Sequence, residues 1–141
     1  MTIFVIYRKE ILKAMKTIHS DKAPLALGPY VQAHQVGNLI FCSGQTGIDP
    51  VTNKVEAVDV AGQTRQVLQN LEAVLQSAGL NLQNVVKCNV YLRTMDDFET
   101  MNEVYGSLFA PHKPARTTVA VAGLPLDALV EIECIAEVPK N

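Results

Sequence analysis

The chain has 141 residues, of which 48% are hydrophobic and 18% charged, and its formal net charge is -2. This length is typical of one domain with its own core, and the composition excludes a disordered tail, a collagen-like fibre and a highly charged coiled coil. The charge balance argues against binding nucleic acid mainly through phosphate neutralisation, because that mode needs a basic surface. No apolar stretch approaches the roughly 20 residues that a membrane span needs.

The first 14 residues are predicted to be an extension ahead of the domain. An apolar run from Met1 to Tyr7 is followed by the charged residues Arg8–Glu10. That run is too short for the core of a secretory signal, and its positive charges follow it instead of preceding it. A second methionine stands at Met15. We expect residues 1–14 to be an added strand or helix, or the product of an upstream start codon, and residues 15–141 to form a single domain.

The first half of the domain predicts short strands followed by one long helix. Apolar residues recur at three- and four-residue spacing from Val67 to Ala78, which indicates an amphipathic helix that begins near Asp59 and ends at Gly79. Ahead of that helix, alternating and compact apolar patterns separated by glycine and proline predict three strands and a loop. The strands are predicted at residues 16–21, 30–36 and 38–43, and the loop at residues 46–53.

The second half predicts a strand, a helix and two closing strands. Residues 84–93 alternate between apolar and polar side chains, which is typical of a strand with one buried face. Asp96 or Asp97 caps the next helix, and Pro111 ends it. The closing strands lie at 116–122 and 130–138. The order ββαβαββ predicts an α+β layer sandwich, a mixed β-sheet with two helices on one face.

The two closing strands predict which side chains share a face of the sheet. Val119 lies on one face with Thr117, and Arg116 lies on the other. We expect the valine face to pack under the helices, so that Thr117 is a packing residue. Arg116 and Glu131 then emerge together on the helix-free face. That face also carries apolar residues such as Ile135, which favours its burial against another subunit.

The three cysteines are predicted to be reduced and buried. Cys42, Cys88 and Cys134 are odd in number, lack the C-x-x-C spacing and lie in apolar, strand-like runs. This pattern is typical of a cytoplasmic protein, and a catalytic thiol is the less favoured alternative. The three histidines are scattered without the spacing of metal ligands, so no metal site is predicted.

Four short motifs follow one another along the chain: Ala26-Leu-Gly-Pro-Tyr30, Phe41-Cys-Ser-Gly-Gln45, Pro114-Ala-Arg-Thr-Thr-Val119 and Val130-Glu-Ile-Glu133. In this order they resemble the RidA family, also called YjgF, over residues 15–138. The resemblance implies a chorismate-mutase-like fold and a homotrimer in which the sheets pack into a central barrel. It also implies three sites in the clefts between subunits.

The resemblance further implies an activity, which is hydrolysis of reactive 2-enamines and 2-imines such as 2-aminoacrylate to 2-oxo acids and ammonia. Such an enzyme is a 2-iminobutanoate/2-iminopropanoate deaminase. It needs neither a metal nor an organic cofactor. Its partners are small molecules and copies of itself. Nucleic acid and membrane are not expected as partners, because of the net charge of -2 and the lack of a long apolar stretch.

Two residues of these motifs match the family's catalytic positions. Arg116 matches the arginine that grips the substrate carboxylate, a task suited to a planar guanidinium that makes two parallel bonds. Glu131 matches the acidic residue that positions the attacking water or relays its proton. The expected substrate-binding residues are Tyr30 as an aromatic wall, Ser43 and Gly44 as a backbone edge, and Asn102 and Thr118.

Thr118 departs from the family pattern, because the position two after the arginine is often cysteine in the enamine-hydrolysing members. A threonine hydroxyl can hold a water, but a thiol role is excluded here. This departure supports an alternative function, a trimeric binding module that holds a small carboxylate without turning it over. Arg116 and Glu131 could also form an ordinary intersubunit ion pair. A nucleic-acid-directed activity is the third hypothesis, and the net charge of -2 counts against it.

Overall fold

The computed structural model describes residues 2–140, and within residues 8–13 the backbone only. Residues 2–140 form three helices, eight strands and three short 3-10 turns. The helices are α1 (Ile3–Ala14), α2 (Val60–Gln76) and α3 (Phe98–Phe109). The strands are β1 (Met15–Ile18), β2 (Ala33–Val36), β3 (Leu39–Gln45), β4 (Ile48–Asp49), β5 (Lys54–Val55), β6 (Val85–Leu92), β7 (Ala115–Ala120) and β8 (Val130–Glu137). The 3-10 turns lie at Leu82–Asn84, Met95–Asp97 and Pro125–Asp127.

A six-stranded sheet in the order β1-β2-β3-β8-β6-β7 organises the domain. Its neighbouring strands are antiparallel except for β6 and β7. These two are parallel because α3 returns the chain to the end of the sheet at which β6 begins. β4 and β5 form a separate two-stranded hairpin. The predicted α+β class, with one mixed sheet and two main helices, is confirmed.

The long helix α2 begins and ends where its sequence provides caps. The Asp59 side chain accepts a hydrogen bond from the Gly62 amide at 2.8 Å, which satisfies one of the unpaired donors at the helix start. Beyond the last turn, Gly79 takes a φ of +77°, which glycine adopts without strain. Five apolar residues of its stripe are fully buried: Val67, Leu68, Leu71, Val74 and Leu75. They pack on β8 and β3, while α3 packs against α2.

Several segments differ in detail from the sequence-based prediction. The three strands predicted ahead of α2 correspond to β1, β2 and β3, so the order ββαβαββ counts one strand too few there. The predicted loop at 46–53 contains β4 and runs on into β5, whose strands of two residues are too short to leave a periodic signal. The extension forms the helix α1, and Ile3, Phe4 and Tyr7 expose more than half of their side-chain surface. Among residues 2–140, no helix has both the length and the apolar character needed to cross a membrane.

The prediction that Arg116 and Glu131 share the helix-free face is wrong. Arg116 lies beside Cys88 and Thr118 beside Val90 in the pairing of β7 with β6. Neighbours in a sheet share a face, and both Cys88 and Val90 are fully buried under the helices. Arg116 and Thr118 therefore point to the helix side, whereas Glu131 lies on the open side.

The same register shows that Thr117 is not a packing residue of the core. Thr117 and Val119 pair with Asn89 and Tyr91 on the open face, and Val119 is 42% exposed. The physical reason is that β7 is an edge strand, and its helix-side face contacts α3 through Arg116, which packs on the aromatic rings of Phe98 and Tyr105. Its more apolar face is therefore the one left uncovered, which reverses the usual pattern.

The open face of the sheet combines apolar and charged side chains. Val36, Phe41 and Val119 each expose between 42% and 44% of their surface there. Uncovered apolar side chains spread over one sheet face are typical of a surface that another molecule covers.

Candidate functional site

Two separate cavities contain most of the predicted site residues. The first, of about 350 Å³, lies between α3 and the segment before β7, and we call it the arginine cavity. Asn102 and Arg116 line it. The second, of about 270 Å³, lies among β3, β8 and the loop before β2, and we call it the glutamate cavity. Tyr30, Gly44 and Glu131 line it. One chain therefore brings the predicted residues together in two groups.

Arg116 presents a guanidinium that no carboxylate neutralises. Its Cζ lies 4.8 Å from the ring centroid of Tyr105 and 5.7 Å from that of Phe98, both on α3. Within the described side chains, the ion pairs are His19–Asp21 and Arg93–Asp127, so Arg116 has no acidic partner. Its donors are therefore available to an incoming carboxylate.

Three buried polar atoms next to Arg116 lack partners in the described part of the chain. They are Oδ1 of Asn102, the hydroxyl of Tyr105 and Oγ1 of Thr118. Buried polar groups are nearly always paired, because an unpaired one costs about 1–3 kcal/mol. Oδ1 of Asn102 can only accept a hydrogen bond, whereas the two hydroxyls can donate or accept, so this side of the sheet presents both kinds of polar atom.

Glu131 lies directly over Gly44, and this contact explains the glycine. A Cβ at position 44 would collide with the Glu131 carboxylate oxygen and stand 3.1 Å from its Cδ. A break in the register of β3 against β8, between Cys42 and Gln45, lies at this point. Gly44 is therefore required for close approach of the carboxylate, beyond any freedom it gives the strand end.

Three glutamates alternate along the open face of β8, and their surroundings distinguish them. Glu133 accepts hydrogen bonds from the Tyr91 hydroxyl at 2.6 Å and the Asn89 amide at 3.0 Å. Glu137 accepts one from Asn38 at 3.2 Å. Glu131 accepts none from the described residues. Of the three, it is the carboxylate left free for a ligand.

The pKa of Glu131 is raised above its usual value. Burial of the carboxyl is the larger cause, and the nearby negative charge of Glu133 is the second. Both effects disfavour the ionised form. A carboxyl whose pKa moves toward neutrality is better suited to accept and return a proton than an ordinary surface glutamate.

Tyr30 is fixed by a contact within its own loop, and Ser43 by contacts with the segment before β2. The half-exposed ring of Tyr30 lies over the loop, where its hydroxyl accepts a hydrogen bond from the Leu27 amide at 3.2 Å. Ser43 donates through its hydroxyl to the Val31 carbonyl at 2.6 Å and through its amide to the Gln32 carbonyl at 2.9 Å. Both donors of Ser43 are therefore used within the chain, while the Tyr30 ring remains open to the glutamate cavity.

Gln32 is a residue of the glutamate cavity that sequence reasoning missed. It is 3% exposed, its amide oxygen accepts from the Ser20 amide at 2.7 Å, and its amide nitrogen donates to the Ser20 and Pro24 carbonyls at 3.1 and 2.9 Å. These bonds hold the loop that forms one wall of the cavity. A single polar residue near a strand start gives no sequence signal for such a role.

The cysteines lie in a row across β3, β8 and β6, next to Arg116 on β7. Cys42 pairs with Cys134, and Cys134 with Cys88. All three are free and buried, as predicted. Burial raises the pKa of Cys88 to about 11, so this thiol stays protonated at neutral pH. No three His, Cys, Asp or Glu side chains of the described residues are arranged to hold a metal ion.

The fold and its cavities define the class, an α+β layered protein with a free arginine on one face of its sheet and a free carboxylate on the other. A family model described as Endoribonuclease L-PSP matches residues 20–138. The RutC family protein PH0854 of Pyrococcus horikoshii is 49% identical over 121 residues, 86% of this chain and 96% of that protein.

A second relative is the 2-iminobutanoate/2-iminopropanoate deaminase of Escherichia coli K12. It is 46% identical over 124 residues, 86% of this chain and 96% of that enzyme. The crystal structure of E. coli TdcF with bound serine matches with a TM-score of 0.84 and 41% identity, covering 88% of this chain and 99% of that one. The chain belongs to the Endoribonuclease L-PSP family, and the predicted relationship to RidA proteins is confirmed.

Proposed function

We propose that this protein is a cofactor-free deaminase that hydrolyses 2-enamines and 2-imines, such as 2-aminoacrylate, to 2-oxo acids and ammonia. The observation that carries the proposal is the Arg116 guanidinium, which lines the arginine cavity and has no acidic partner among the described residues. A small carboxylate substrate supplies the missing acceptor. Support also comes from the deaminase name of the E. coli relative and from the serine bound to TdcF, which is itself a small carboxylate. The free thiols fit a cytoplasmic site of action.

The complete site is proposed to form between copies of the chain. Arg116 and Glu131 lie on opposite faces of the sheet with β6 between their strands, so one chain cannot place both on one small substrate. A second copy that seats its glutamate cavity against the first copy's arginine cavity brings the two groups together. The exposed Phe41 and Val119 of the open face provide apolar surface for such an assembly, which the resemblance implies is a trimer.

The proposed chemistry uses one proton carrier and one anchor. Arg116 holds the substrate carboxylate, and Glu131 of the other copy takes a proton from a water molecule as its oxygen bonds to the imine carbon. The electron pair of the C=N bond moves to nitrogen, to which Glu131 returns the proton. The resulting carbinolamine collapses when Glu131 transfers the hydroxyl proton to the amino nitrogen, the C=O bond forms and the C–N bond breaks to release ammonia. For an enamine, protonation of its β-carbon comes first.

The test generates 2-aminoacrylate from serine with a pyridoxal-phosphate dehydratase and times pyruvate release with and without this protein. Wild type should accelerate release, whereas Arg116→Ala and Glu131→Ala should each abolish the acceleration. Asp21→Ala, which removes an exposed carboxylate that lines neither cavity, is the matched control. Unchanged release with wild-type protein would contradict the proposal.

Coexpression of the two inactive variants tests the shared site. Random assembly of Arg116→Ala and Glu131→Ala subunits should leave about one site in four with both residues intact, so roughly a quarter of the activity should return. A site within one chain would give no recovery.

The alternative function is a binding module for small carboxylates. It predicts that 2-oxobutanoate binds through Arg116 while pyruvate release is not accelerated. Thr118 favours this alternative, because its position often carries cysteine in the enamine-hydrolysing members of the family.

A further inference from the structure

Arg116 belongs to an edge strand, so its backbone is held on one side only. β7 pairs with β6 and with no other strand in the described residues. The long arginine side chain has several rotatable bonds, and neither a carboxylate nor a carbonyl of the described residues fixes its end. The direction of the guanidinium must therefore come from the groups that it packs against.

Those groups are two aromatic rings of α3. We infer that Phe98 and Tyr105 are positioning residues, which hold the Arg116 guanidinium by cation–π contact so that its N–H groups face the arginine cavity. The inference rests on the proposed function, because it assigns a use to those N–H groups.

Stacking on a ring leaves all N–H donors of a guanidinium free, whereas an ion pair would consume them. Tyr105 is the closer ring, at 4.8 Å, and it is 7% exposed. It also packs on the Phe109 ring with centroids 4.6 Å apart, so its own orientation is fixed. The rings thus hold the charge without competing for the bonds that a carboxylate makes.

The Tyr105 hydroxyl has no part in this role. It lies near the Cys88 thiol, but that contact does not have hydrogen-bond geometry. Burial raises the pKa of Tyr105, so it stays a neutral phenol and does not form an ion pair with Arg116. The ring alone should therefore be sufficient, and phenylalanine should replace tyrosine.

Removal of a ring beside Arg116 should affect carboxylate binding more than the chemical step. Arg116 holds the carboxylate in both the substrate complex and the transition state, and loss of such uniform binding raises KM with little change in kcat. A cation–π contact contributes about 0.5–2 kcal/mol, so removal of one ring should weaken binding roughly two- to thirtyfold.

The experiment compares Tyr105→Leu, Tyr105→Phe and Phe98→Leu in the full-length protein. Calorimetry measures the Kd of 2-oxobutanoate, and the dehydratase assay measures KM and kcat. We expect Tyr105→Leu to raise both Kd and KM about tenfold, Phe98→Leu to raise them less, and Tyr105→Phe to match wild type. Val104→Ala, a truncation in α3 outside the cavity, controls for general loosening of that helix.

A direct readout is the NMR shift of the Arg116 side-chain protons. Ring currents of the stacked aromatics should move them upfield in wild type and in Tyr105→Phe, and Tyr105→Leu should largely remove that displacement. This measurement needs neither turnover nor ligand, so it decides the inference even if the proposed deaminase activity is absent.

Two results would overturn the positioning role. The first is a Kd and a proton shift in Tyr105→Leu that equal those of Val104→Ala. The second is a Tyr105→Phe variant as impaired as Tyr105→Leu, which would assign the effect to the hydroxyl. If Tyr105→Leu fails to fold, Phe98→Leu, whose ring is only half-buried, gives the same comparison.

Discussion

At the scale of single residues, the close approach of Glu131 to Gly44 is the most restrictive contact of the glutamate cavity. The carboxylate occupies the space where any side chain at position 44 would begin. Glycine at position 44 is therefore needed for the Glu131 carboxylate to occupy its observed position.

Replacement of Gly44 by alanine tests that contact. Gly44→Ala should displace the Glu131 carboxylate and lower kcat at least tenfold in the dehydratase assay, because catalysis needs the base within hydrogen-bond reach of the water. Gly123→Ala is the control, since a Cβ there meets nothing within 4 Å. Equal activity of the two variants would show that the position of Glu131 is not critical.

Glu131 also makes the stability of the protein depend on pH. Its pKa is raised in the folded state, so the folded protein holds this proton more tightly than the unfolded chain does. Stability from this group is therefore complete below the ordinary glutamate pKa and is lost as the pH rises through the raised value.

Glu131→Gln, which cannot ionise, should remove that loss. Its free energy of unfolding, measured with urea at a series of pH values on dissociated chains that lack the Arg116 of another copy, should gain on wild type as the pH rises from about 4 and then level off. Glu137→Gln, at a glutamate whose neighbour is Asn38, is the comparison. A pH-independent difference between Glu131→Gln and wild type would contradict the raised pKa.

At the scale of elements, α3 contains a glycine with no steric reason for it in the chain. Gly106 lies inside the helix, at the arginine cavity, and an added Cβ would meet nothing within 4 Å. Glycine inside a helix costs stability relative to alanine, because it loses more backbone freedom on folding.

Gly106→Ala should therefore raise the free energy of unfolding by about 0.5–1 kcal/mol in urea denaturation. Gly79→Ala is the opposite control, because its φ of +77° strains any side chain and should destabilise. A destabilised Gly106→Ala protein would mean that the position is occupied by something outside this chain, such as a second subunit.

The elements also show how far the sequence can predict this molecule. The helical period gives α2 and α3 because both bury an apolar stripe, and the motifs locate Arg116, Glu131 and Gly44. The sequence gives the wrong face for β7, since alternation shows which residues share a side but not which side the helices cover. Gln32 and Tyr105 act through contacts between segments distant in sequence, and no local pattern reveals them.

At the scale of the whole molecule, the sheet separates the two groups that the proposed reaction needs. Arg116 lies on the helix side and Glu131 on the open side, so each face of the sheet carries one of the two groups of the proposed site. Folding of one chain prepares both halves but completes neither.

If the site is shared between copies as proposed, that separation makes catalytic output a nonlinear function of how much protein is present. Chains diluted below the dissociation constant of their assembly would each be well folded and yet inactive, and the rate per chain would climb with concentration until assembly is complete. A cell that makes little of the protein would gain less than proportional deaminase activity. Activity would then rise more steeply than expression level until the concentration of the protein exceeds the dissociation constant of its assembly.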